Sequence, residues 1–72
     1  MSATFIPLNK MLTYLGTTAI CIKYEKDVDI KEQKRQIAQA EIAKYPNGID
    51  AGTECYDLDN KIIKLFKQAG IY

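Results

Sequence analysis

Asp50, Glu54, Asp57 and Asp59 fall within ten residues, beside Cys55 and Tyr56, with no basic residue before Lys61. Carboxylates at that density can hold a cation, relay a proton, meet a basic partner surface, or begin a helix. A calcium loop of the EF-hand kind needs oxygen ligands at alternate positions and Gly at the sixth. Counted from Asp57, Asp59 fits the third position, but Lys61 takes the fifth and Ile62 stands where Gly is required. Counted from Asp50, Cys55 takes the Gly position. No metal is therefore expected.

Catalysis fares no better. A carboxylate acting as a general acid at neutral pH needs burial to hold its proton, and these acids are expected at an exposed helix start. The chain has two cysteines and no histidine, which rules out four-ligand zinc and a Cys–His nucleophile within one copy. No phosphate-binding glycine loop, nucleophile elbow or HExxH motif occurs. The expectation is a non-catalytic protein without a cofactor.

Helix physics gives the acids a simpler role. Carboxylates complement the unsatisfied N–H groups and positive pole of a helix N-terminus, with Asp57 the expected cap, Asp59 in the first turn, and Asp50 and Glu54 in the loop before it. Tyr56, set among them, supplies rigid apolar area with a hydroxyl, a combination enriched at protein interfaces. Tyr56, Asp50, Glu54, Asp57 and Asp59 thus form the candidate partner-binding surface, suited to a basic region of another protein. The competing surface is cationic. Lys61, Lys64 and Lys67 line one side of the last helix, and Lys31, Lys34 and Arg35 make a second group; either could meet the phosphates of DNA or RNA. Residues 8–25 can also be laid over a helix-turn-helix with Gly16 in the turn. Leu12, Thr17 and Glu25 fit that pattern poorly.

These groups must be positioned by a small set of elements. Thr4 to Ile6 can begin a short strand. Leu8, Met11, Leu12 and Leu15 share one helical face, giving a short helix over residues 8–15 with Gly16 just past its end. Thr17 to Glu25 is crowded with β-branched residues, and Thr18, Ile20, Ile22 and Tyr24 alternate against Ala19, Cys21, Lys23 and Glu25, the signature of a strand. Ala19 and Ile22 also continue the spacing from Leu15, so a helix running on through Gly16 is the alternative. Asp29 with Glu32 reads as a capping box for a helix reaching Tyr45, ended by Pro46, Asn47 and Gly48. Its stripe of Ile30, Ile37, Ala38, Ile42 and Tyr45 is thin, because Lys34 and Glu41 fall in the same sector. Leu58, Ile62, Leu65, Phe66 and Ala69 form the last helix, with Gly70 as its left-handed cap.

Seventy-two residues allow one domain, spanning 1–72, with a core that supplies only about 3–5 kcal/mol. The expected fold is α+β, two or three helices on a minimal sheet of short strands, with an all-α three-helix bundle as the alternative. A thin-striped middle helix leaves apolar surface for a second copy, so a homodimer is expected. The net charge of +1 neither demands nor excludes an anionic partner. No secretory signal or membrane span is legible, and both cysteines read as reduced thiols of a cytoplasmic protein. A regulator, inhibitor or accessory subunit acting by surface contact is the function this implies.

Overall fold

A computed structural model describes residues 5–6 and 14–72. They form β1 (Phe5–Ile6), α1 (Thr17–Lys23), α2 (Val28–Ile42), β2 (Ile49–Asp50) and α3 (Thr53–Gln68). The strands pair antiparallel, Phe5 with Asp50 and Ile6 with Ile49. The protein is a small, mostly helical domain. Thr4 and most of the helix expected over residues 8–15 lie outside the described residues.

Helix α1 replaces the strand expected over Thr17 to Glu25. The reason is which side chains are covered: Leu15, Thr18 and Ile22 are buried whereas Ile20 and Tyr24 are exposed. That is a helical period beginning at Leu15, not the alternation of a strand. β-branched residues lower helix propensity only slightly, and packing with a borrowed cap, described below, outweighs it. Gly16 opens the helix at φ 52°, a backbone region that residues with a Cβ seldom occupy.

Helix α2 is capped two residues earlier than expected. Asp27, not Asp29, is the cap, its Oδ1 accepting from Asp29 N at 2.9 Å and Ile30 N at 3.1 Å. Asp29 falls inside the first turn, where its charge still complements the helix pole. Glu32, freed from a capping box, pairs instead with Arg35 at 3.7 Å. At the other end the α-helix stops at Ile42, and tighter turns close over Lys44 and Tyr45 through Lys44 N→Glu41 O and Tyr45 N→Ile42 O. The stripe is as thin as its sequence suggests. Ala38 and Ile42 are buried, while Ile30, Ile37 and Tyr45 are only half-covered.

Helix α3 begins at Thr53, four residues before Asp57. Its core period extends one step back from Leu58, to Cys55, and runs on through Ile62 and Phe66, all buried. It is the central element. Phe66 and Ile62 are fully covered, and Leu15, Ile22, Ala38, Ile42 and Ile49 close around them. Gly70 takes φ 72° and Ile71 N bonds back to Phe66 O at 3.0 Å, the expected left-handed termination.

Side-chain contacts fix how the helices run. Cys55 Sγ donates to Tyr14 O, and Thr18 N reaches Asp59. Glu25 pairs with Lys34, whose ammonium lies 5.8 Å from the centre of the Phe66 ring. The α1 segment therefore advances alongside α3 in the same direction. Lys61 meets Glu41 while Lys34 meets Phe66, so α2 runs antiparallel to α3. Lys34 and Glu41, the polar intruders of the α2 stripe, are both buried, and each is held in an ion pair.

Candidate functional site

The acidic segment divides into carboxylates that hold backbone and one that does not. Asp50 Oδ1 accepts from Gly52 N at 3.0 Å and Glu54 Oε1 accepts from Asp50 N at 3.0 Å. Together they turn the chain out of β2 and into α3. This local wiring starts the helix at Thr53, with Gly52 at the cap position and no side chain capping it. Asp57 is consequently not a cap. It lies within the helix, exposed, and makes no hydrogen bond or ion pair among the described residues.

Asp59 does something its sequence neighbours do not announce. Its carboxylate accepts from Thr18 N at 2.7 Å and Thr17 N at 3.2 Å, and its backbone oxygen accepts from Thr18 Oγ1 at 3.3 Å. Asp59 thus caps α1 from across the fold, a role that falls to a residue of the capped helix's own chain segment in the usual case. Periodicity carries a weak trace of it: Asp59 adjoins the buried positions of α3, between Leu58 and Ile62.

Tyr56 stands outside this wiring. It is 68% exposed and leads the outer stripe of α3, followed at helical spacing by Asn60, Lys64 and Lys67. That face changes sign along its length, acidic near Tyr56 and basic near Lys67. Lys67 holds its ammonium 4.9 Å from the ring centre of exposed Tyr72.

Charge pairing sharpens the polarity. Among the described residues the ion pairs are Lys34–Glu25 at 2.7 Å, Arg35–Glu32, Lys44–Glu41 at 3.0 Å and Lys61–Glu41 at 3.0 Å. None involves Asp50, Glu54, Asp57 or Asp59. The two lysines on Glu41, Lys61 first, hold its carboxyl below the ordinary glutamate range, and Glu41 in turn raises the Lys61 ammonium. Lys34 does the same to Glu25 through their hydrogen bond. Burial pushes the Cys55 thiol up, with a further contribution from the Asp59 charge.

The cationic candidates are thinned by these pairings. Lys34 is buried and Lys61 is bound to Glu41, which leaves Lys64 and Lys67 of the last-helix group and Lys31 of the middle one without a carboxylate among the described residues. In the helix-turn-helix register the second helix would be α1, whose exposed side chains are Thr17, Ile20 and Lys23; most of the first helix lies outside the described residues. No group of three His, Cys, Asp or Glu among the described residues is placed to hold a metal ion. No helix among them is long and apolar enough to cross a membrane. Comparison with family models, curated proteins and solved structures gives no match.

Proposed function

We propose that the protein is a non-catalytic binding module whose acidic end, centred on Tyr56, docks on a basic surface of a protein partner. One observation carries this reading: an exposed tyrosine stands at the start of α3 next to exposed Asp57, in a segment whose four carboxylates make no ion pair within the described residues. Asp50, Glu54 and Asp59 are positioned by backbone N–H groups, so the patch is held rigid and loses little side-chain entropy on contact. Asp57 adds a free charge beside the ring. Such a surface steers a basic partner toward it and anchors it through the aromatic. Regulation or inhibition of that partner in a reducing, cytoplasmic setting is the role this arrangement serves.

Capture from a native extract, with and without nuclease, tests it. Tyr56→Ala is expected to release a defined protein partner that survives nuclease, since buried aromatic anchors carry about 2 kcal/mol or more. Changing Lys64 and Lys67 to Glu should leave that partner bound; Lys61 is spared because it holds Glu41. Recovery of nucleic acid alone, lost with the lysine changes and steeply weakened by salt, would refute the proposal.

A further inference from the structure

Among the described residues, exposed apolar side chains gather toward the other end of the molecule. Ile20 and Tyr24 lie one turn apart on the outside of α1, 58% and 68% exposed, and Val28, opening α2, is 79% exposed. Ile20 and Tyr24 share one side of the α1 segment, with Val28 four residues on in the chain, and adjoining exposed apolar side chains mark an interaction site more often than scattered ones. The contacts of Glu25 through Lys34 to Phe66 place this face beside the C-terminal half of α3. Lys23 and Lys26 flank it, with Lys64 and Lys67 on the neighbouring helix, and none of these four pairs with a carboxylate among the described residues. Asp27 and Asp29 offset part of that charge and leave the end net positive. The opposite end carries Asp50, Glu54 and Asp57 beside Tyr56, while Asp59 lies between the two, bonded to Thr17 N and Thr18 N at the start of α1. The two ends are complementary in sign, and each presents exposed aromatic area.

We propose that the α1 face receives the acidic Tyr56 end of a second copy of this chain, giving head-to-tail association. This rests on the reading of the acidic end as a contact surface, and names one occupant for it. The contact is heterologous: the surfaces differ, so each copy keeps one unused end, and longer assemblies grow unless the ring closes. The apolar area is a fraction of the roughly 800 Å² per partner that stable interfaces bury, so association is weak and dependent on charge. Self-association is in keeping with the dimer expected from the thin stripe of α2, but the surface differs.

Sedimentation across a concentration series, at about 0.05 M and about 0.5 M salt, reads this directly, because screening shortens from ~14 Å to ~4 Å between them. The average mass should rise above 8.2 kDa with concentration at low salt and return to it at high salt. Two variants separate the ends. Lys23→Glu with Lys26→Glu spoils the α1 face; Tyr56→Ala with Asp57→Lys spoils the acidic end. All four positions are exposed, and matching melts with the parent confirm folding. Each variant alone should stay monomeric, and their mixture should pair and stop at twice the monomer mass. Tyr56→Ala by itself should weaken association about thirty-fold, an anchor of ~2 kcal/mol at 1.4 kcal/mol per tenfold. A parent chain monomeric at every concentration overturns the inference, as does a mixture that fails to pair. If that monomer still holds a Tyr56-dependent protein partner, the reading of the acidic end survives and only the second copy is excluded.

Discussion

Replacing Asp59 by Ala removes a carboxylate that accepts from two backbone N–H groups of α1, at 2.7 and 3.2 Å, and leaves Thr18 N with only its 3.2 Å bond to Leu15 O. Loss of a helix cap costs about 0.5–2 kcal/mol, and hydrogen bonds to a charged group contribute about 1.5–3 kcal/mol. Thr18 is fully buried, so water cannot readily replace the charged acceptor and its N–H keeps only the longer, neutral bond to Leu15 O; the upper part of the cap range applies, about 2 kcal/mol. Against a core that supplies about 3–5 kcal/mol this is near half of the whole. At roughly 4–8 °C per kcal/mol for a domain this size, the melting temperature should fall by roughly 8–16 °C. Asp57→Ala is the matched control: same helix, same charge removed, no hydrogen bond lost. It should change stability by less than about 0.5 kcal/mol. Thermal melts followed by circular dichroism at neutral pH compare the two directly. Equal losses from both substitutions, or a larger loss from Asp57, would refute the cross-fold cap and restore the capping role that the local sequence suggests for Asp57.

Two other outcomes follow from the same structure. The Glu25 and Glu41 carboxyls are both depressed in the folded state, so their stabilisation is full above the unfolded glutamate value of about 4.3 and is lost as pH falls through the folded values. Stability should therefore be level through neutral pH and decline on acidification below about 4.3; a melting temperature that rises on acidification contradicts it. Cys21, half-buried, should alkylate before Cys55, whose raised thiol pKa leaves less thiolate to react. The two should not join in a disulfide: Cys21 lies between the Asp59 and Phe66 levels of α3, about 10 Å along the helix from Cys55, beyond the ~7 Å limit for bridging. Mass spectrometry of an air-oxidised sample showing an intramolecular disulfide would contradict this.

What the sequence discloses depends on how local the cause is. The last helix is legible because Leu58, Ile62 and Phe66 carry their own period, and Gly70 and Ile71 their own termination. Its start is not, because the turn that launches it is wired by Glu54 onto Asp50 and by Asp50 onto Gly52, leaving Asp57 a capper in composition only. Asp27 lost to Asp29 in the reading of α2 for a similar reason: both residues are good caps, and the backbone turn selects between them. The error over residues 17–23 is of another kind. Thr17, Thr18, Ile20 and Ile22 have a local preference for strand, and the helix is imposed by contacts with α3. Of the candidate surface, the exposure of Tyr56 and Asp57 matches the expectation, whereas Asp50, Glu54 and Asp59 prove to have structural duties as well. Lys34 and Lys61 could not be separated from their neighbours by sequence, because their partners Glu25 and Glu41 are set by the antiparallel packing of α2.

The cap on α1 also orders events in time. Its acceptor lies 41 residues downstream of Thr18, and a seven-residue helix has too few internal bonds to persist alone in water. During synthesis, residues 17–23 emerge well before Asp59 exists. They must wait, β-prone and unpaired, while α2 and then α3 are made. Any chain halted before residue 59 leaves that segment without its cap, so this domain completes its first described helix only once the first seven residues of its last one have been translated.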